Sequence, residues 1–177
     1  MLPHLDAAFT LAKWLLGNEQ DAEDVVQESF LRAYRFFDTY HDDNSRAWIL
    51  MIVRNTSFSW MRRHYAVSAT VSFDEELHSA NTTPITANLP TPEKDYLDDI
   101  TRKQINHALE KLAMPFREVL VLHELQGLPY AVIANITGCP IGTVMSRLSR
   151  ARKHLQQMLQ QTLREESSSC DAKKPKP

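Results

Sequence analysis

Few side chains of this 177-residue chain are placed for covalent or metal chemistry. Its two cysteines, Cys139 and Cys170, form neither a CxxC pair nor a Cys/His spacing suited to zinc, so free thiols are expected rather than a disulfide framework. The 4 glycines include no phosphate-cradling loop, and the 7 histidines are scattered, with His107 and His123 reading as helix-surface residues. No nucleophile sits beside a base. The expectation is a protein with no catalytic residue, no metal, no cofactor and no small-molecule substrate.

The residue types that do cluster are suited to binding. Between Ile141 and Leu155, Val144, Leu148 and Ala151 recur at helical spacing and continue to Leu155 and Met158. At 100° per residue that stripe turns Ser146, Ser149, Arg150 and Lys153 to the opposite side, with Thr143, Met145, Arg147 and Arg152 flanking them. Short hydroxyls reach base edges, and guanidinium or ammonium groups meet phosphate or guanine. Ala134 stands four residues before Gly138 and Val144 six after it, the spacing of a helix-turn-helix. A solvated basic helix in a bundle is the plainer reading of the charge alone.

A second cluster is acidic. Asp24, Gln27, Glu28 and Leu31 lie at i, i+3, i+4 and i+7, on one helical face away from the apolar stripe Ala22, Val25, Val26, Ser29, Phe30, Ala33 and Phe37. The leucine on that face suits a protein partner, although simple solvation explains it equally. A third group mixes aromatic, amide and basic side chains: Tyr40, Trp48, Arg54, Asn55, Arg62 and Arg63 could stack on, hydrogen-bond to and neutralise a single strand. Trp48 by itself also reads as core.

These groups require helices to carry them. A first helix runs from Leu5 to Leu16 and stops at Gly17; a second is expected to be capped by Asp21, and a third by Ser45, running through Trp48, Met51, Ile52 and Asn55 to Arg62 and Arg63. From about Tyr65 to Asp95 the periodicity fades into Ser, Thr, Asn, Pro84, Pro90 and Pro92, the composition of a linker. Beyond it come a helix with Ile105, Ala108, Leu109 and Leu112 on one face, a helix begun at Pro115, a short one from Tyr130 to Thr137, and a long one from about Ile141 to Leu163. The fold class is therefore all-α: two small helical domains, residues 1–64 and 102–164, joined by a flexible linker over 65–101, the second domain having four helices with a helix-turn-helix. Residues 165–177 read as a disordered tail.

Charge follows the same divisions. Residues 65–101 carry 1 basic and 7 acidic groups and residues 102–164 carry 9 basic and 3 acidic, so the overall charge of -2 hides a connector and a basic unit of opposite sign. A polyanion would meet the basic unit and be avoided by the connector. A hydrophobic content of 43% supports packed cores. The apolar run Trp48 to Val53 is far short of the roughly 20 residues a membrane span needs. A cytoplasmic protein with no membrane insertion is expected.

With these residues in view, the chain resembles the extracytoplasmic-function (ECF) class of bacterial sigma factors. The run Asp21-Ala22-Glu23-Asp24-Val25-Val26-Gln27-Glu28-Ser29-Phe30-Leu31-Arg32-Ala33, with Arg46-Ala47-Trp48 and Arg54-Asn55, is similar to their second conserved region. Leu112 to Leu155, including Gly127-Leu128-Pro129-Tyr130 and Gly142 to Arg152, is similar to their fourth. The resemblance implies that Asp24, Gln27, Glu28 and Leu31 dock on core RNA polymerase. It implies that the loop Tyr40 to Ser45, which holds Asn44, receives a base flipped from the -10 element, with Trp48, Arg54, Asn55, Arg62 and Arg63 helping to open the duplex. Thr143, Met145, Ser146, Arg147, Ser149, Arg150 and Lys153 would then read the -35 element, and an anti-sigma partner is implied. The chain departs from the family at Pro140, where a capping serine is common, and at Met145 and Ser149, where basic or bulky groups are common. It also begins close to the second-region core, without the fuller leading helix of many relatives. A conventional dimeric helix-turn-helix regulator is the main rival, and it leaves the acidic helix unexplained.

Overall fold

The computed structural model describes residues 2–40, 44–68 and 103–171, all helices and turns with no strand among them. The expected linker, apart from the end of the third helix, and residues 172–177 lie outside the described residues. The first unit consists of α1 (Leu5–Leu16), α2 (Glu19–Arg35) and α3 (Ser45–Ser68). Each packs on the other two. Ala8, Leu11, Ala12 and Leu15 meet Ala22, Val25, Val26 and Ala33 and, from α3, Ile49, Leu50 and Val53. Alanine recurs on α1 and α2 because three helix axes converge there and a small side chain lets backbones approach. The buried hydroxyls are satisfied within their own helices: Ser29 Oγ donates to the Val25 carbonyl at 2.6 Å and Ser57 Oγ to Val53 at 2.8 Å.

Helix starts differ from the expected ones by one physical feature, the reach of asparagine. Asn18 caps α2, its side chain accepting from Gln20 N at 2.9 Å, so Asp21 lies inside the first turn instead. Asn44 in turn accepts from Ala47 N at 3.0 Å, doing for α3 what was expected of Ser45. Two apolar positions also depart from the core: Leu5 and Phe37 are exposed. Leu5 opens its helix, and Phe37 sits in a 3-10 turn after α2 has ended, where the helical stripe no longer sets its direction.

The second unit has four helices among the described residues, as expected. A helix over 103–111 leads to α5 (Met114–Leu120), which continues as a π-helical turn through Val121–Leu125, then to α6 (Tyr130–Thr137) and α7 (Ile141–Asp171). We number the 103–111 helix α4. α7 runs past Leu163 to Asp171, so part of the expected tail is helical. Leu109, Leu112, Val119, Leu122, Ile133, Val144, Leu148 and Ala151 form the core.

The units are docked. α1 touches α5, α3 lies on α6, and the buried apolar residues of both form one connected cluster.

Candidate nucleic-acid interface

The turn between α6 and α7 is built from backbone requirements. Gly138 ends α6 at φ +66°, turning its N–H onto the Ala134 carbonyl. A Cβ there would meet nothing within 4 Å, so the left-handed dihedral, and not space, demands glycine. Pro140 then immediately precedes α7, its carbonyl accepting from Thr143 at 2.8 Å and Val144 at 3.1 Å. With Val144, Leu148 and Ala151 buried, Ser146, Ser149, Arg150 and Lys153 are exposed as one polar surface, and Met145 is 52% exposed at its edge. Thr143 and Arg147 are half-buried at the edge, and the Arg147 guanidinium reaches towards Cys139 Sγ at 3.9 Å. Arg152 is turned back into its own unit, making two hydrogen bonds to Glu124 Oε1 at 3.0 and 2.7 Å.

The structure brings the acidic face together as well. Asp24, Gln27 and Leu31 are exposed, Leu31 at 55%. Glu28 is different, since Arg32 holds its Oε1 at 2.5 Å and Arg63 of α3 approaches Oε2 at 3.4 Å. One candidate docking carboxylate therefore positions one candidate -10 arginine. Helical spacing in the sequence shows the Glu28–Arg32 pair, but the link to Arg63 depends on how α2 and α3 pack. Tyr34, at i+3 from Leu31, extends the exposed surface by another turn and went unnoticed in the sequence.

The third cluster is only partly gathered. Tyr40 and Trp48 pack at 4.7 Å between ring centroids, with Asn44 between them in sequence, while His41 to Asp43 lie outside the described residues. Asn55 is exposed on α3, and Arg62 is exposed beside Ser59. Arg54 points elsewhere. Its guanidinium lies over Phe58 and its Nε donates to the Glu118 carboxylate of the second unit. Burial pushes the Glu118 carboxyl above the ordinary carboxylate range, against the pull of the Arg54 hydrogen bond and charge and of Arg147. Beside this pair, Arg46 donates to Gln126 at 2.7 Å, and Arg117 donates to the carbonyls of Trp14 at 3.1 Å, Leu112 at 3.0 Å and Glu110. Burial lowers the Arg117 pKa, and Glu110 partly offsets that.

Comparison with known proteins agrees with both halves of this geometry. Residues 2–66 match Sigma-70 region 2 and residues 102–155 match Sigma-70, region 4. An ECF RNA polymerase sigma-E factor of Salmonella typhimurium is 34% identical over 149 residues, covering 81% of this chain and 76% of that protein. The chain belongs to the ECF sigma factors of RNA polymerase. Another relative, the ECF RNA polymerase sigma factor SigE of Mycolicibacterium smegmatis, is 32% identical over 88% of this chain, which spans 58% of that protein's length. In three dimensions the chain is similar to the sigma factor RpoE of Bartonella quintana, solved in complex with the anti-sigma factor NepR: 29% identity, TM-score 0.76, covering 90% of this chain and 93% of that one. As an ECF sigma factor the chain serves promoter-specific transcription initiation and is not an enzyme. Among the described residues no helix is long and apolar enough to cross a membrane, and no group of side chains is placed to hold a metal.

Proposed function

We propose that this sigma factor binds core RNA polymerase through Asp24, Gln27, Glu28 and Leu31, with the region-2 unit spanning residues 1–64. Its -10 contacts are Tyr40, Asn44, Trp48, Arg54, Asn55, Arg62 and Arg63, and its -35 contacts are Thr143, Met145, Ser146, Arg147, Ser149, Arg150 and Lys153 in a region-4 unit spanning 102–164. The factor works in the cytoplasm, on double-stranded promoter DNA and on the single -10 strand, and an anti-sigma protein holds it inactive. The observation that carries the reading is the presence in one chain of two unlike exposed faces, the acidic one around Leu31 and the hydroxyl and cationic one around Arg150. A dimeric operator-binding regulator needs only the second.

Capture of core polymerase by the tagged chain tests the first face. Asp24→Ala/Leu31→Ala is the informative variant, because Glu28 also anchors Arg32 and Arg63 and its loss would disturb α3. Core binding is expected to fall at least tenfold, the effect of losing about 1.4 kcal/mol of contact. Wild type that does not capture core, or a double variant that captures it equally well, removes the basis of the assignment.

A further inference from the structure

The seam between the units contains polar groups that a permanent interface would have little use for. Glu118 on α5 has a side chain only 2% exposed, and its carboxylate takes a hydrogen bond from Arg54 on α3, itself 20% exposed. Arg147 on α7 lies near enough to bias the same carboxyl. An arginine nominated for the -10 strand thus binds this buried acid, and one nominated for the -35 element stands within electrostatic reach of it.

A carboxylate and a backbone phosphate present the same chemistry to a guanidinium, planar or tetrahedral oxygens accepting charge-assisted hydrogen bonds. While Arg54 is bound to Glu118 it is withheld from a DNA strand. Geometry makes the exclusion general. Elements at -10 and -35 are by those positions about 25 base pairs apart, on the order of 80 Å along B-DNA at about 3.4 Å per step. In the closed arrangement α3 lies directly on α6, the first helix of the -35 reader. Residues 69–101, were they fully extended, would reach on the order of 100 Å at about 3.3 Å each, so the chain has the length to span both elements once the seam parts.

We propose that the Arg54–Glu118 pair is a phosphate-mimicking latch: Glu118 joins the two units and occupies the guanidinium that the -10 strand needs, so closure and promoter engagement exclude one another. The proposal rests on the reading of α3 as the -10 helix. Arg46 with Gln126 and Arg117 with the Trp14 carbonyl supply the rest of the polar seam, hydrogen bonds that water can replace on opening.

Small-angle scattering of the full chain reads closure directly. Arg54→Glu and Glu118→Arg each set like charges across the seam, and each is expected to raise the radius of gyration by several Å; the double swap restores the opposite-charge pair and recloses the chain. Rescue shows that the two charges act on each other, and the DNA arm separates a latch from a purely structural ion pair. If Glu118→Arg fails to fold, Arg54→Glu tests the same contact from the less buried α3 side. The second arm titrates a short fluorescent single-stranded DNA of random sequence. Glu118→Ala is expected to bind about tenfold tighter than wild type, a gain of about 1.4 kcal/mol, and the gain should vanish in an Arg54→Ala background. Unchanged dimensions in both single reversals, or a swap that stays open, overturn the latch. Unchanged DNA affinity in Glu118→Ala, or a gain that survives without Arg54, overturns the competition. Core capture is measured separately, so loss of the initiation-factor reading is distinguishable from loss of the latch.

Discussion

On α7, Arg150 and Lys153 stand exposed and make no ion pair among the described residues, whereas on α3 Arg54 and Arg63 are each held by a carboxylate, Glu118 from the other unit and Glu28 from α2. Both helices belong to the same sigma factor, and both carry cations suited to phosphate. On the proposed site assignment, the difference follows what each helix meets. A double-stranded element is rigid and already formed, so a face that is preorganised for its major groove loses little freedom on binding. The -10 strand has to be unstacked first, and cations aimed at it while the protein is free would attract any nucleic acid. On the proposed latch, the hold of Glu118 on Arg54 suppresses that binding.

Breaking the preformed face should give the largest effect. Leu148→Ala removes a fully buried side chain from beneath Arg147 and Arg150 and is expected to cost about 2–5 kcal/mol of stability in a thermal or urea melt. If the two units are held together as closely as the shared core suggests, both should melt in one transition; two separate transitions would show the seam to be weaker than its packing. Arg150→Ala leaves the fold alone and should lower affinity for a -35 duplex by about 1–3 kcal/mol in a gel-shift titration, with core capture unchanged. Loss of core capture instead would mean that the two faces are not separate. Gly138→Ala forces a side chain into a left-handed dihedral and should destabilise the helix-turn-helix by about 1 kcal/mol although no atom obstructs the new methyl. Lys153→Ala should weaken all duplexes alike and reduce the salt slope by about 1, the mark of a phosphate contact.

The smallest effect expected is on pH. Burial holds the Glu118 carboxyl above its ordinary value in the closed chain, against Arg54 from α3 and Arg147 from α7. Its protonated form is therefore favoured by folding, and the stabilisation linked to that proton is complete below the ordinary carboxylate range and lost as pH rises through the raised value. The melting temperature of the wild type relative to Glu118→Gln should rise slightly as pH drops from neutrality towards that range.

Much of the architecture was legible along the chain because helical periodicity is local. The α7 stripe of Val144, Leu148 and Ala151 determines which side faces outward, and the residues exposed there, Ser146, Ser149, Arg150 and Lys153, are those that the spacing nominates. The acidic face of α2 was legible for the same reason, with Leu31 exposed as expected. Helix starts were less so, since Asp21 and Ser45 have the right chemistry to cap but Asn18 and Asn44 have the right backbone position.

The sequence by itself therefore determined two amphipathic helical units, the turn at Gly138 and the two outward faces, all of which depend on residues within a few turns of one another. Only the tertiary structure decided the partners of the arginines on α3. Arg54 meets a residue 64 positions away and Arg63 one 35 positions away. No local periodicity encodes such pairs, because which carboxylate comes within reach of a long, rotatable guanidinium is settled by how α2, α3 and α5 pack and not by spacing along any one of them.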